Sequence, residues 1–96
     1  MVDLAQVRLY RNAILALAER YGARDVRIFG SVVRGESGGE SDIDFLVELA
    51  PGRTLLDWSA FWLNLEKLLG QSVDVATEKS LRPEIRERAI KEALPL

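Results

Sequence analysis

The sequence contains neither cysteine nor histidine among its 96 residues. These two absences exclude the usual zinc sites, a Ser-His-Asp triad, a thiol nucleophile and an imidazole base. Carboxylates, hydroxyls, lysine, arginine, backbone amides and bound cations are therefore the groups that remain for any catalysis.

Long apolar runs and a strong positive charge are also absent. No stretch approaches the length needed to span a bilayer, and Met1 leads directly into a charged amphipathic pattern instead of a signal peptide. The formal net charge of -2 argues against nucleic-acid binding held mainly by phosphate contacts, although it leaves room for a local basic patch. We therefore expect a cytoplasmic protein with no membrane partner and no direct nucleic-acid partner.

Glycine and proline are scarce, at seven and three residues, while 48% of the chain is apolar and 29% is charged. This composition is typical of a globular protein. The length suffices for one hydrophobic core but would leave two cores short of buried area, so we expect one domain over residues 1–96.

The hydrophobic periodicity predicts the element order αβαβαβα, without an internal repeat or linker. Asp3 and Gly22 are placed to cap the two ends of the first helix. The remaining predicted elements are a strand over 25–29, a helical turn over 31–36, a loop over 37–41, a strand over 42–49, a helix over 54–69, a strand over 72–77 and a last helix of about ten residues near Pro83.

Two carboxylates share one face of the strictly alternating strand over 42–49. Asp42 and Asp44 are two residues apart, so their side chains point the same way and their Cα atoms lie roughly 7 Å apart. At an effective dielectric of about 20 the two charges repel by roughly 2 to 3 kcal/mol, a cost that a hard divalent cation, Mg²⁺ first, would offset. The alternative is that both aspartates are simply solvated at the start of a strand.

A third carboxylate, Asp74, lies between two valines in the next predicted strand. Its side chain should point away from the face that Val73 and Val75 bury, so the three aspartates can converge if the two strands are neighbours. The alternative is an ordinary polar position on a sheet face.

Gly30 and Ser31 lie between the end of a strand and a short helical turn. Backbone amides and a helix N-terminus often bind phosphate at such a position, and the serine adds a hydroxyl donor. Because Gly-Ser is a common loop pair, its position shortly before the paired aspartates is what favours a phosphate site.

The segment Gly30-Ser31-Val32-Val33-Arg34-Gly35, followed after a short loop by Ser41-Asp42-Ile43-Asp44, resembles the G-S-x-A-R-G … S-D-x-D motif of the polymerase β nucleotidyltransferase superfamily. Over nearly its whole length the chain is similar to the minimal nucleotidyltransferases, small antitoxins encoded beside HEPN-domain toxins. The resemblance implies an α/β (α+β) fold, a polymerase β-like core with a small mixed three-stranded sheet flanked by helices. Val33 stands where alanine is usual, a change that removes no chemical group.

By this resemblance, Gly30 and Ser31 would bind the nucleotide triphosphate, and Asp42, Asp44 and Asp74 would be catalytic residues that hold one or two Mg²⁺ ions. Arg34 would either contact phosphate or tie the loop down. The implied reaction is transfer of AMP from ATP to a hydroxyl, with Mg²⁺ supplying activation of that hydroxyl and charge neutralisation of the pyrophosphate. Asp74 is the candidate general base, by its position.

The resemblance also implies a partner, a HEPN-domain toxin whose tyrosine hydroxyl would accept the AMP. Two alternatives from other classes are an antitoxin that neutralises the toxin by binding alone and a non-catalytic domain stabilised by a metal. The three retained aspartates disfavour binding alone, since unused paired charges destabilise a fold. Self-association is compatible with the sequence.

Two surfaces are candidates for contact with a partner. The helix over 54–69 places Leu56 and Leu63 opposite its broad apolar stripe, which should face the sheet. The residues of the stripe are Trp58, Phe61, Trp62, Leu65, Leu68 and Leu69. Four basic residues near the last helix either steer phosphate or an acidic partner or form a solvated face, and they are Arg82, Arg86, Arg88 and Lys91.

Overall fold

A computed structural model describes residues 3–36 and 42–96. The helices are α1 (Leu4–Arg8), α2 (Arg11–Tyr21), α3 (Ser31–Arg34), α4 (Leu55–Leu69) and α5 (Pro83–Glu92), with a 3₁₀ turn over Glu78–Ser80. The strands are β1 (Ala23–Phe29), β2 (Ile43–Leu49), β3 (Val73–Ala76) and β4 (Leu94–Pro95). The loop predicted over 37–41 lies outside the described residues.

The strands form a mixed sheet in the order β3-β2-β1-β4. β1 pairs antiparallel with β2 and with β4, whereas β2 pairs parallel with β3. The expected α+β fold, a mixed sheet flanked by helices, is confirmed, with a fourth strand where three were predicted. This strand is only two residues long and includes a proline, so it has no alternating pattern from which it could be predicted.

One face of the sheet packs against α1, α2 and α4 and forms the larger core. Along β2, alternation turns Ile43, Phe45 and Val47 toward this face, where all three are buried. From α4, Phe61 and Leu65 fill the same core and are fully buried, as the predicted apolar stripe requires. Each such side chain contributes roughly 1.5 to 3 kcal/mol of hydrophobic stabilisation.

The opposite face carries a smaller core beneath α5. Phe29, Leu46 and Ala76 meet Ala89 there. Asp44 and Asp74 lie two residues before Leu46 and Ala76 on the same face and are only partly buried. The aspartates therefore lie at the end of this face that the small core leaves open.

The first predicted helix is in fact two helices. α1 ends at Arg8 and α2 begins at Arg11, and between them Tyr10 adopts φ -97° and ψ 11°, outside the helical range. Both predicted caps are present. Asp3 accepts a hydrogen bond from the backbone amide of Gln6 at 2.8 Å, and Gly22 takes a left-handed conformation with φ 75°.

Surface positions partly follow the sequence predictions. Leu56 and Leu63 are exposed on α4, as expected, and Leu55 is exposed beside them. Arg86 is not part of a free basic face, because its guanidinium donates to the carbonyl oxygens of Glu78 and Leu81. Within residues 3–36 and 42–96, no helix has both the length and the apolar character needed to cross a membrane.

Candidate active site

Asp44 and Asp74 lie directly opposite each other on neighbouring parallel strands. The same register pairs Ile43 with Val73, and these two residues face the larger core. Alternation therefore turns both aspartates to the α5 face, while Asp42 lies just before the start of β2. The structure thus pairs two of the three predicted carboxylates and places the third next to them.

The site holds more negative charge than its surroundings neutralise. Burial first, and then the charges of Asp74 and Asp42, raise the pKa of Asp44 to about 6. Burial also raises the pKa of Asp74, followed by the charge of Asp42. Such shifts mean that the ionised carboxylates are only partly compensated, because the charge of Arg34 near Asp44 and the backbone hydrogen bond from Val75 to Asp74 do not outweigh the effects that raise each pKa.

The donor chemistry of these three carboxylates fits Mg²⁺, which prefers oxygen ligands. In the part of the chain that the structure describes, however, no three potential ligands stand close enough together to hold an ion without moving. The like charges of the three aspartates repel one another, and a bound cation would offset this cost. The assignment of Asp42, Asp44 and Asp74 as metal ligands stays a prediction.

Gly30 brings the loop after β1 against Asp44. Phe29, the last residue of β1, pairs with Asp44, and Gly30 then adopts φ 81° and ψ -154°, a conformation essentially restricted to glycine. A Cβ atom on Gly30 would collide with the Asp44 carboxylate. The missing side chain therefore lets the loop that carries Ser31 reach the aspartates.

Arg34 is held by two carboxylates. Its Nε donates to Glu36 at 2.9 Å, and its Nη1 donates to the two carboxylate oxygens of Glu92 at 2.9 and 3.0 Å. These hydrogen bonds, the one to Glu36 first, raise the pKa of Arg34. The arrangement ties the loop to α5, so contact with phosphate would require Arg34 to release at least part of this pairing.

Glu92, at the C-terminal end of α5, belongs to the site although no sequence pattern marked it. Its Oε1 accepts a hydrogen bond from the backbone amide of Gly30 at 2.9 Å, and its side chain is only 18% exposed. A glutamate in the last turn of a helix opposes the helix dipole. That unfavourable placement is the one signal by which the sequence could have drawn attention to it.

The protein family with this fold and site is identified by similarity to known proteins. The sequence pattern of the nucleotidyltransferase domain family matches residues 11–96. The chain belongs to this family. The nucleotidyltransferase is 38% identical over 84 residues to a candidate protein adenylyltransferase of Methanocaldococcus jannaschii, a match that covers 88% of this chain and 90% of the relative.

Solved structures agree with the family assignment. The nucleotidyltransferase superposes on a candidate minimal nucleotidyltransferase with a TM-score of 0.87 and 49% identity, covering 99% of this chain and 97% of that one. A toxin-antitoxin structure with AMP-PNP shares the fold at a TM-score of 0.72 and 21% identity, covering 88% of this chain and 69% of that one. The predicted family resemblance and the prediction of a nucleotidyltransferase enzyme are both confirmed.

Proposed function

We propose that this nucleotidyltransferase moves AMP from ATP onto a hydroxyl of a HEPN-domain toxin, with a tyrosine as acceptor, and so acts as the antitoxin of a toxin-antitoxin pair. The observation that carries the proposal is the meeting of Gly30 with the paired Asp44 and Asp74 at the open end of the sheet. Nucleotidyl transfer needs a loop that binds the triphosphate and carboxylates that bind a cation, and this site places a glycine loop beside such carboxylates.

Related proteins support the acceptor class and the biological setting. The Methanocaldococcus jannaschii relative is named as a candidate protein adenylyltransferase, which makes a protein the acceptor of AMP. The toxin-antitoxin structure with AMP-PNP pairs the same fold with an ATP analogue. Transfer of AMP to a protein and binding of an ATP analogue are both compatible with a site that combines a phosphate-binding loop with carboxylates.

In the proposed mechanism, Asp42, Asp44 and Asp74 would hold Mg²⁺, which would supply charge neutralisation and lower the pKa of the acceptor hydroxyl. The hydroxyl of Ser31 donates to the triphosphate, and Gly30 permits its close approach. Asp74 accepts the proton of the acceptor hydroxyl as the oxygen bonds to the α-phosphorus. The bond between the α-phosphorus and its bridging oxygen breaks, and pyrophosphate leaves with the electron pair.

The deciding experiment incubates the protein with a HEPN toxin encoded beside it, Mg²⁺ and ATP labelled at the α-phosphate. We expect the label on the toxin and an increase in its intact mass by one or more AMP units. ATP labelled at the γ-phosphate is the control and should leave the toxin unlabelled. Neutralisation of the toxin without transfer of label would instead support an antitoxin that acts by binding alone.

ATP binding is expected to need a divalent cation, because the triphosphate and the three aspartates otherwise repel one another. Isothermal titration calorimetry with Mg²⁺ and with excess EDTA measures the difference, which should be at least about tenfold in Kd. Equal affinity in the two conditions would refute the proposed metal site.

Leu56 and Leu63 are proposed to contact the toxin, since they are 82% and 54% exposed on α4. The double substitution Leu56→Asp, Leu63→Asp should weaken toxin binding by about tenfold or more and change the free energy of unfolding by less than about 0.5 kcal/mol. Pull-down assays and circular dichroism measure the two effects. Leu9→Asp, at a leucine that is 83% exposed, is the control and should leave binding intact. Unchanged toxin binding by the double variant would remove these leucines from the interface.

A further inference from the structure

Glu92 joins the loop at Gly30 to α5. Its Oε1 accepts from the Gly30 amide and from Nη1 of Arg34, both at 2.9 Å, and its Oε2 accepts from the same Nη1 at 3.0 Å. Charge-assisted hydrogen bonds of this length are strong and directional. A single carboxylate therefore holds both the glycine that lies against Asp44 and the arginine one helical turn later.

The support behind Glu92 is rigid. Ala89, three residues earlier on α5, packs against Phe29 and Leu46 in the smaller core. After α5 the chain returns to the sheet, where Leu94 pairs with Ile28 of β1. Because packing and strand pairing fix both sides of Glu92, its carboxylate has a defined position from which to hold the loop.

The placement of Glu92 has electrostatic costs that a purely structural contact could avoid. The side chain is largely buried at the negative end of a helix dipole. The charge of Glu92 also adds to the negative potential at Asp44, where the charge of Arg34 has the opposite and larger effect. A neutral acceptor could satisfy the Gly30 amide, but it could not also pair with the charge of Arg34.

We propose that Glu92 is a positioning residue for nucleotidyl transfer, one that holds Gly30 and Arg34 at the distance from Asp44 that the reaction needs. This inference rests on the proposed function. A displacement of about 1 Å in a reacting group can cost about a hundredfold in rate, so a single anchor of this kind matters for catalysis. The Gly30 amide, which Glu92 engages, is then a structural group and not a phosphate donor.

The competing explanation is that Glu92 occupies groups that phosphate would otherwise use and must leave before ATP binds. The two explanations predict different effects of removing Glu92 on the kinetic constants. A positioning residue, when removed, lowers kcat with little change in KM for ATP, whereas removal of a competing anion lowers KM. Kinetic constants for transfer to the toxin therefore separate them.

The test compares Glu92→Ala, Glu92→Gln and Glu87→Ala with the parent. Glu92→Ala should lower kcat by about thirtyfold or more and change KM for ATP by less than about threefold. Glu92→Gln keeps an acceptor oxygen for the Gly30 amide but loses the charge that pairs with Arg34, so its kcat should lie between those of Glu92→Ala and the parent. Glu87 lies on the same helix and pairs with Lys91 at 3.4 Å on an exposed surface, so Glu87→Ala should behave as the parent.

A second readout needs neither nucleotide nor toxin. In Glu92→Ala the Gly30 amide proton should exchange with solvent at least about tenfold faster than in the parent, while the Ile28 amide in β1 keeps its rate. In Glu92→Gln the rate at Gly30 should stay near that of the parent. If Glu92→Ala does not fold, Glu92→Asp replaces it, since that variant keeps the charge but is one methylene too short.

A lower KM for ATP in Glu92→Ala, or an unchanged exchange rate at Gly30, would overturn the proposal. The failure of the proposed function has a different signature. In that case the parent and Glu87→Ala transfer no AMP, whereas failure of the inference leaves the parent active and Glu92→Ala equally active.

Discussion

Replacing Asp44 by asparagine is expected to stabilise the metal-free protein by about 1 to 2 kcal/mol and to lower nucleotidyl transfer by about a thousandfold or more. Asparagine keeps the shape of the side chain but carries no charge. Burial, Asp74 and Asp42 raise the pKa of Asp44 from 3.8 to about 6, and one pKa unit corresponds to about 1.4 kcal/mol. Asp44 is partly exposed, and solvent screens part of the electrostatic cost that this pKa shift implies. The expected stabilisation is therefore only about 1 to 2 kcal/mol.

The raised pKa of Asp44 also fixes the sign of the pH dependence. Between pH 3.8 and about 6, the folded protein keeps a proton on Asp44 that the unfolded chain has already released. The free energy of unfolding of the parent in EDTA therefore falls as the pH rises through this window. In Asp44→Asn the free energy of unfolding should fall less steeply with pH. The fall that remains comes from Asp74, whose pKa is also raised.

Urea unfolding of the parent and of Asp44→Asn in EDTA, from pH 4 to pH 7, measures both effects. Thermal melts with Mg-ATP should show a stabilising shift for the parent and none for the variant. Glu48→Gln is the matched control, since Glu48 is exposed on β2 and pairs with Arg24 at 3.3 Å. A loss of more than about 1 kcal/mol in EDTA with transfer retained would assign Asp44 a structural role.

Gly30→Ala is expected to lower the free energy of unfolding by about 3 kcal/mol or more and Tm by more than about 10 °C. The backbone conformation of Gly30, with φ 81° and ψ -154°, costs any other residue roughly 1 to 3 kcal/mol. The new Cβ atom would also collide with the side chain of Asp44, whose backbone is held between Phe29 and Asp74 in the sheet. Thermal and denaturant unfolding measure the combined effect.

Gly70→Ala is the matched control for Gly30→Ala. Gly70 also has a positive φ, 69°, but a Cβ atom there would meet no other group within 4 Å, so only about 1 kcal/mol should be lost. In the background of Gly30→Ala, removing the carboxylate by Asp44→Ala should restore part of the lost stability. Equal stability of Gly30→Ala and Gly70→Ala would show that the contact with Asp44 imposes no constraint.

The carboxylates of the site are predictable because strand alternation acts over two residues. This rule places Asp42 and Asp44 on one face and turns Asp74 away from Val73 and Val75. Whether β2 and β3 are neighbours depends on how the whole chain packs, so the sequence left the meeting of Asp44 and Asp74 conditional. The structure supplies the parallel register that pairs them.

The features that sequence patterns miss are those that long-range contacts or local backbone geometry decide. β1 begins at Ala23, two residues earlier than predicted. The prediction missed this start because Asp25 takes φ 52° and the pairing register shifts beside it, so the side chains of the strand do not alternate regularly there. Tyr10 separates two helices without a proline or glycine to signal the break. The residues around Glu92 do not indicate its hydrogen-bond partner, because Gly30 is 62 residues away in the sequence.

The return of the chain to β1 after α5 makes assembly of the site a late event in folding. Leu94 and Pro95 pair with Ile28 and Arg27, and the Leu96 amide donates to the carbonyl oxygen of Val26 at 3.1 Å. Contacts between residues so distant in sequence form slowly, because the intervening chain must first lose its conformational freedom. Until those contacts form, the paired aspartates of β2 and β3 can already be in place while the Gly30 loop lacks its anchor at Glu92, so a chain at that stage of folding is not yet equipped for transfer.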